Sequence, residues 1–183
     1  LREGVPALVD VKLGDLFTTR WYPIESHFGI LPLLTGSLIV TLGAALIAVP
    51  FGIGTAVYIS EIAPRWMREI LKPLVELLGG LPSVVLGFLG ILVVSPFLRV
   101  FLDLPTGLTA FTGSLLLGGI AVPTVVSVAE DALDAVPRAY REGAWALGAT
   151  KWQTIWKVVI PGSITGIMTG TILAVSRAAG EVA

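Results

Sequence analysis

From Gly29 to Ser60 the chain reads GILPLLTGSLIVTLGAALIAVPFGIGTAVYIS, without one charged side chain. A helix needs about 20 predominantly apolar residues to cross a hydrocarbon core about 30 Å thick. In that medium backbone polar groups must be satisfied within the protein, which a helix does by itself. The run is therefore read as a membrane span, long enough to cross even if tilted or kinked at Pro50.

Three further apolar runs follow. Pro73–Leu98 is read as a second span, with Glu76 near its start, and Leu108–Ala129 as a third. Val158–Ala183 begins a fourth. The expected fold is all-α, a polytopic transmembrane helical bundle of about four spans. Residues 1–28 are mixed in character and read as an extracytoplasmic segment, partly helical at its start. Residues 29–183 form the membrane core. Leu1 is not an initiator methionine and SRAAGEVA carries no closing signal, so an internal piece of a longer chain is expected; no signal peptide opens it.

Lys and Arg in short loops set orientation. Residues 61–72 hold Arg65, Arg68 and Lys72, and residues 130–157 hold Arg138, Arg141, Lys151 and Lys157. Arg2, Lys12, Arg20 and Arg99 fall on the other side. The first two connectors flank a pair of spans, so they share a side, read as cytoplasmic. Pro64 is placed as the first residue of a helix in the first connector, and Glu76 as an i, i+4 partner of Lys72.

Composition removes several functions. Only 14% of residues are charged and 55% are hydrophobic, with mean hydropathy +0.89; soluble domains carry about 25% charge. A net charge of −1 gives no nucleic-acid footprint. Cysteine is absent and His27 is the single histidine, which removes thiol nucleophiles and Cys/His metal clusters. No phosphate-binding GxxxxGK[ST] loop occurs. Glu76 and Glu181 are the only acids in the expected spans, on different helices, so no catalytic residue is assigned and no enzyme is expected.

The segment EGAWALGATKWQTIWKVVIP, Glu142 to Pro161, interrupts this apolar pattern with charges and tryptophans. Pro137 suits a helix start and Gly148 a left-handed helix end. Thr150 with Gln153 forms a capping box, so a second short helix is expected there. Trp145, Trp152, Trp156 and Val159 recur at helical spacing as an apolar stripe, leaving Arg141, Lys151 and Thr154 for other faces. Two readings are open on the residues alone: an interfacial helix pair anchored by aromatic rings, or a rigid knob offered to a cytoplasmic partner.

In the last run, Gly162, Gly166, Gly170, Ala174 and Ala178 make a ridge of small residues along which another helix can approach closely. Thr165, Thr169 and Arg177 are read as the adjacent face. Arg177 and Glu181 are spaced i, i+4. At 1.5 Å per residue Arg177 lies about 24 Å from Pro161. A mid-membrane Arg is costly and normally turned to a functional interior; snorkelling to the interface with Glu181 as partner is the other reading. Ser83 and Thr124 are read as polar groups bonding between helices.

The connector resembles the signature loop of the inner-membrane subunits of bacterial ABC importers, E-A-A-x3-G-x9-I-x-L-P. Glu142, Ala144, Gly148 and Pro161 match; Gly143 stands for the first Ala, Val158 for Ile and Ile160 for Leu. The phrases REGVPAL, TRWYPIESHFGILPLLTGSL, YISEIAP, LKPLVELLGGLPSVVLGF and LAVSRAAGE resemble the phosphate-importer branch, its C-type subunit more than its A-type. The resemblance implies a type I ABC importer permease in the bacterial inner membrane. It implies a coupling loop at about residues 130–157, with Glu142, Gly143, Ala144, Gly148 and Pro161 serving an ATPase subunit. It implies a translocation path at Arg177, Glu181 and Thr169, with Glu181 tuning Arg177. The implied partners are a sister permease, ATPase subunits that bind the ATP, and an external phosphate-binding protein; the chain itself would hold no cofactor. Sulfate, molybdate or tungstate is the alternative substrate.

Overall fold

The computed structural model describes residues 18–19, 21–22 and 27–182. The expectation of a helical start to the first segment falls outside them. A two-residue antiparallel ladder, β1 (Trp21–Tyr22) against β2 (His27–Phe28), leads into the helices. The other elements among the described residues are helical, as the apolar runs require.

The first span is α1 (Leu31–Val57), continued by a π-helical turn over Tyr58–Ile62 that the Ala63 N–H closes onto the Tyr58 carbonyl. It runs through Pro50 without ending. One face is small and buried, Ala44, Ala48, Gly52 and Ala56, while Leu34, Leu38, Leu42 and Leu46 point outward. A soluble protein would not expose such a stripe; in a bilayer, lipid or another helix covers it.

The second span differs from the sequence expectation. Pro64 lies one position outside the helix, as its N-cap, and α2 (Arg65–Gly79) runs on through Pro73. Residues 73–79 thus belong to an amphipathic helix rather than to the span. The span proper is Ser83–Phe101, built from α3 (Ser83–Leu89), a π segment over Gly90–Val94 and α4 (Ser95–Phe101). The apolar outer side of α2 made its residues look like membrane. Its inner side carries Arg68 and Lys72.

The third span is α5 (Ala110–Asp134), started by the Thr109 hydroxyl accepting from the Thr112 N–H at 3.2 Å. It extends past Ala129, so Glu130, Asp131 and Asp134 lie on its last turn rather than in a connector. Helix α5 is the centre of the bundle: α1 packs on one side and the final helix on another. Val126, Ala129, Leu133 and Val136 join Ala56, Ile59, Val159 and Ile167 in one apolar core.

Next come α6 (Arg138–Ala146), α7 (Lys151–Thr154), a π turn over Ile155–Val159, α8 (Ile160–Gly162) and α9 (Ile164–Val182). The fourth run is not straight. Lys151–Gly162 and Ile164–Val182 meet at a 67° bend. The buried Ser163 hydroxyl donates to the Val159 carbonyl at 2.9 Å at that corner. The ends of α1, α5 and the start of α6 lie together, so the two basic connectors are on one side, as expected.

Candidate functional site

The α6–α7 hairpin is made by local chemistry. Pro137 is the N-cap of α6, with an extended ψ of 138°. At the other end Gly148 adopts φ +82°, which a side chain would resist. The Gly148 N–H donates to the Trp145 carbonyl at 2.9 Å and the Ala149 N–H to the Ala144 carbonyl at 3.0 Å. That pair of bonds is a Schellman motif. Two residues later the Gln153 N–H donates to Thr150 Oγ1 at 3.3 Å, and the Thr150 N–H to Gln153 Oε1 at 2.9 Å, completing the capping box.

Thr154, Ile155 and Val159 are buried beneath the hairpin, while Trp145, Trp152 and Trp156 are exposed. The expected stripe therefore splits: Val159 faces the core and the indoles face outward. Trp152 and Trp156 meet edge to face with ring centres 6.4 Å apart. Leu147 at the tip is 90% exposed. Beside it Ala144, Leu147, Gly148, Ala149, Gln153, Lys157 and Val158 line an open groove of about 290 Å³. Glu142 is exposed and makes no ion pair among the described residues. A Cβ at Gly143 would meet nothing within 4 Å, so Gly in place of Ala costs no contact there. Pro161 is exposed on α8, just before the bend.

Arg141 is not on a free face. Its Nη2 lies 2.7 Å from Glu61 Oε1 and donates to the Leu133 carbonyl at 2.9 Å; its Nη1 donates to the Val136 carbonyl. The guanidinium thus satisfies carbonyls at the C-terminus of α5, where a cation is favoured. Its position four residues beyond Pro137, close after the end of an apolar helix, was the signal in the sequence.

Lys72 pairs not with Glu76 but with Glu130 Oε2 at 2.6 Å and Asp131 Oδ1 at 3.3 Å. The hydrogen bond that Lys72 donates to the Glu130 carboxylate raises its pKa above the ordinary value against some desolvation, and the Glu130 charge and the hydrogen bond and charge of Asp131 add to the rise. Glu130 is 3% exposed, and its Oε1 has no hydrogen-bond partner among the described residues.

The ridge, from Gly162 at the end of α8 into α9, packs on α5 in antiparallel register. A Cβ at Gly162, Gly166 or Gly170 would meet Val136 at 3.5 Å, Ala132 at 2.3 Å or Val128 at 3.1 Å. Arg177 is half-buried, and its Nη1 donates to Thr124 Oγ1 on α5 at 3.3 Å. Thr165 and Thr169 are exposed, and the Thr169 hydroxyl donates to the Thr165 carbonyl at 2.9 Å. Glu181 is exposed and makes no ion pair with Arg177 among the described residues. Arg177, Glu181 and Thr169 are therefore not gathered into one cluster. The bend also shortens the depth estimate: Arg177 lies about 20 Å along α9 from Ile164. Among the described residues Ser83 shows no hydrogen bond to another helix.

Residues 48–183 match the family described as binding-protein-dependent transport system inner membrane component. The chain belongs to that family. It is a multi-pass inner-membrane component: among the described residues, three helices are long and apolar enough to cross a membrane, and a fourth if the bent pair is one span. It is 44% identical over 168 residues to the probable ABC transporter permease protein YqgH of Bacillus subtilis (strain 168), covering 91% of this chain and 54% of the relative. It is 35% identical over 194 residues to the phosphate transport system permease protein PstC of Mesorhizobium japonicum (strain LMG 29417 / CECT 9101 / MAFF 303099), covering 96% of this chain and 59% of the relative. The permease chain thus spans little more than half the length of these relatives. A solved structure of the MetNI methionine ABC transporter in inward-facing conformations matches 83% of this chain and 68% of its own, with TM-score 0.63 at 22% identity. That likeness is one of fold.

Proposed function

We propose that the chain is part of the membrane-spanning subunit, C-type, of an ATP-driven phosphate importer. The observation that carries the reading is the doubly capped hairpin, with Leu147 and the indoles exposed around a groove, at the matched positions Glu142, Ala144, Gly148 and Pro161. The hairpin docks a separate cytoplasmic ATPase subunit, which supplies the ATP site. A sister permease covers the exposed leucine faces, and an external binding protein delivers the substrate. Relatives named as phosphate permeases support the anion.

The chemistry required of the path is modest. A phosphate leaving water needs N–H donors or cations where its hydration is lost. Arg177 spends one N–H on Thr124 and keeps others to offer. Thr169 and Glu181 line the exposed side of α9, and Glu181 limits how tightly an anion is held near Arg177.

The test uses the complete chain reconstituted in liposomes with its sister permease, ATPase and binding protein. ATP-driven uptake of labelled phosphate that excess sulfate does not block, lost in Arg177→Gln at equal assembly, is the expected result. Equal competition by sulfate refutes the anion assignment. Normal uptake by Arg177→Gln removes Arg177 from the path.

A further inference from the structure

The hairpin is tied to the bundle by more than its backbone. The Glu61 and Arg141 side chains are only 12% and 13% exposed, and their 2.7 Å contact joins the π turn closing α1 to helix α6. The same guanidinium holds the Leu133 and Val136 carbonyls at the end of α5. Its neighbours reinforce the junction. The Ser60 hydroxyl donates to Asp134 Oδ1 at 2.7 Å, and Arg68 Nε donates to the Ile59 carbonyl at 2.9 Å. Leu133, Val136 and Val159 form an apolar floor beneath. One fork on α6 therefore touches the ends of both α1 and α5.

A planar guanidinium engaged on three acceptors cannot slide as a single point charge can. Breaking the contact would leave a nearly buried carboxylate without its cation, which is far more costly than parting a surface pair. The π turn is an irregular helix end of the kind frequent at functional sites.

We propose that Glu61 and Arg141 form the brace that carries movement of the α6–α7 hairpin into the ends of α1 and α5, with Glu61 a positioning residue for coupling. This rests on the reading of the hairpin as the ATPase dock. A purely structural ion pair would set stability and leave the ratio of transport to hydrolysis untouched.

The experiment uses the full transporter in liposomes, measuring ATP hydrolysis and labelled phosphate uptake in the same vesicles. Glu61→Gln should raise the ATP consumed per phosphate by about tenfold, the worth of one charge-assisted bond, and Glu61→Asp should recover part of the loss. An unchanged ratio in Glu61→Gln overturns the brace. A wild type that hydrolyses ATP without phosphate uptake refutes the functional reading instead, and the brace is then judged by distance. The chain has no cysteine, so spin labels can be placed through Cys at the exposed positions Ile62 and Tyr140. With the brace intact, the distance between them should hold one value with and without ATP, and broaden in Glu61→Gln. If that variant does not assemble, Arg141→Lys takes its place in the same measurement. A distance that is as narrow in the variant as in the wild type overturns the proposal.

Discussion

Gly166→Ala is the sharpest perturbation of the α5–α9 contact. The new methyl would lie 2.3 Å from Ala132 Cβ, where two carbons prefer about 3.5–4.0 Å. The helices must part by more than about 1 Å, on a ridge where Gly170 already stands close to Val128. Overpacking of this kind costs about 1–3 kcal/mol. Against it stands the gain in helix propensity of Ala over Gly, up to about 1 kcal/mol. Gly180→Ala isolates that gain, because a Cβ there meets nothing within 4 Å. For a chain of this size 1 kcal/mol moves Tm by about 2–4 °C, so Gly166→Ala should melt about 2–12 °C below Gly180→Ala. The assay is thermal loss of the monodisperse complete permease, purified with its sister subunit, on size exclusion. Ala132→Gly should restore Gly166→Ala, since it removes the carbon that is struck, although alone it destabilises. If Gly166→Ala melts at or above the Gly180→Ala control, or Ala132→Gly gives no relief, the packing of α9 on α5 described above is wrong.

Lys72→Met leaves the buried Glu130 carboxylate without its cation. Allowing for the exposure of Lys72, the expected cost is about 1–3 kcal/mol, and Glu130→Gln in the same chain should recover most of it in a double-mutant cycle. Because the folded Lys72 pKa is raised, this contribution is complete below the ordinary lysine pKa of 10.5. It fades as pH climbs through the higher folded value, so the Lys72→Met and wild-type melting curves should converge only in strong alkali. Thr150→Ala removes one half of the capping box and should destabilise by about 1 kcal/mol, read as faster hydrogen exchange at residues 151–154. Leu147→Asp changes a residue that is 90% exposed; it should leave the melting of the permease unchanged while abolishing co-purification of the ATPase subunit, and retention of the ATPase would refute the docking surface.

What was legible in the sequence was local. The hairpin is specified by Pro137, Gly148 and the Thr150–Gln153 pair, each acting within a few residues, and all of them stand where chain chemistry puts them. The apolar runs likewise announced the spans. The errors came where a choice depended on distant residues. Lys72 has Glu76 within a turn, yet it reaches partners 58 and 59 positions away. Arg141 finds Glu61 at a separation of 80. Proline also misled: Pro73 marked the start of a span on paper but lies inside α2, because neither Arg65–Lys72 nor Leu74–Gly79 alone exhausts that amphipathic pattern.

Arg177 and Thr169 stand on different sides of α9 for a geometric reason. Residues spaced every fourth drift about 40° per step around an α-helix, so the Gly/Ala ridge wraps as it rises. Arg177 then falls in azimuth between Gly166 and Gly170, about 80° from Thr169, and turns toward α5 rather than joining the threonines. Its partner Thr124 lies on the same helix as Leu133, whose carbonyl Arg141 holds. The two contacts are separated by about 14 Å of continuous α5. If Arg141 carries movement as proposed, α5 links it to the hydrogen-bond partner of Arg177 without an intervening loop.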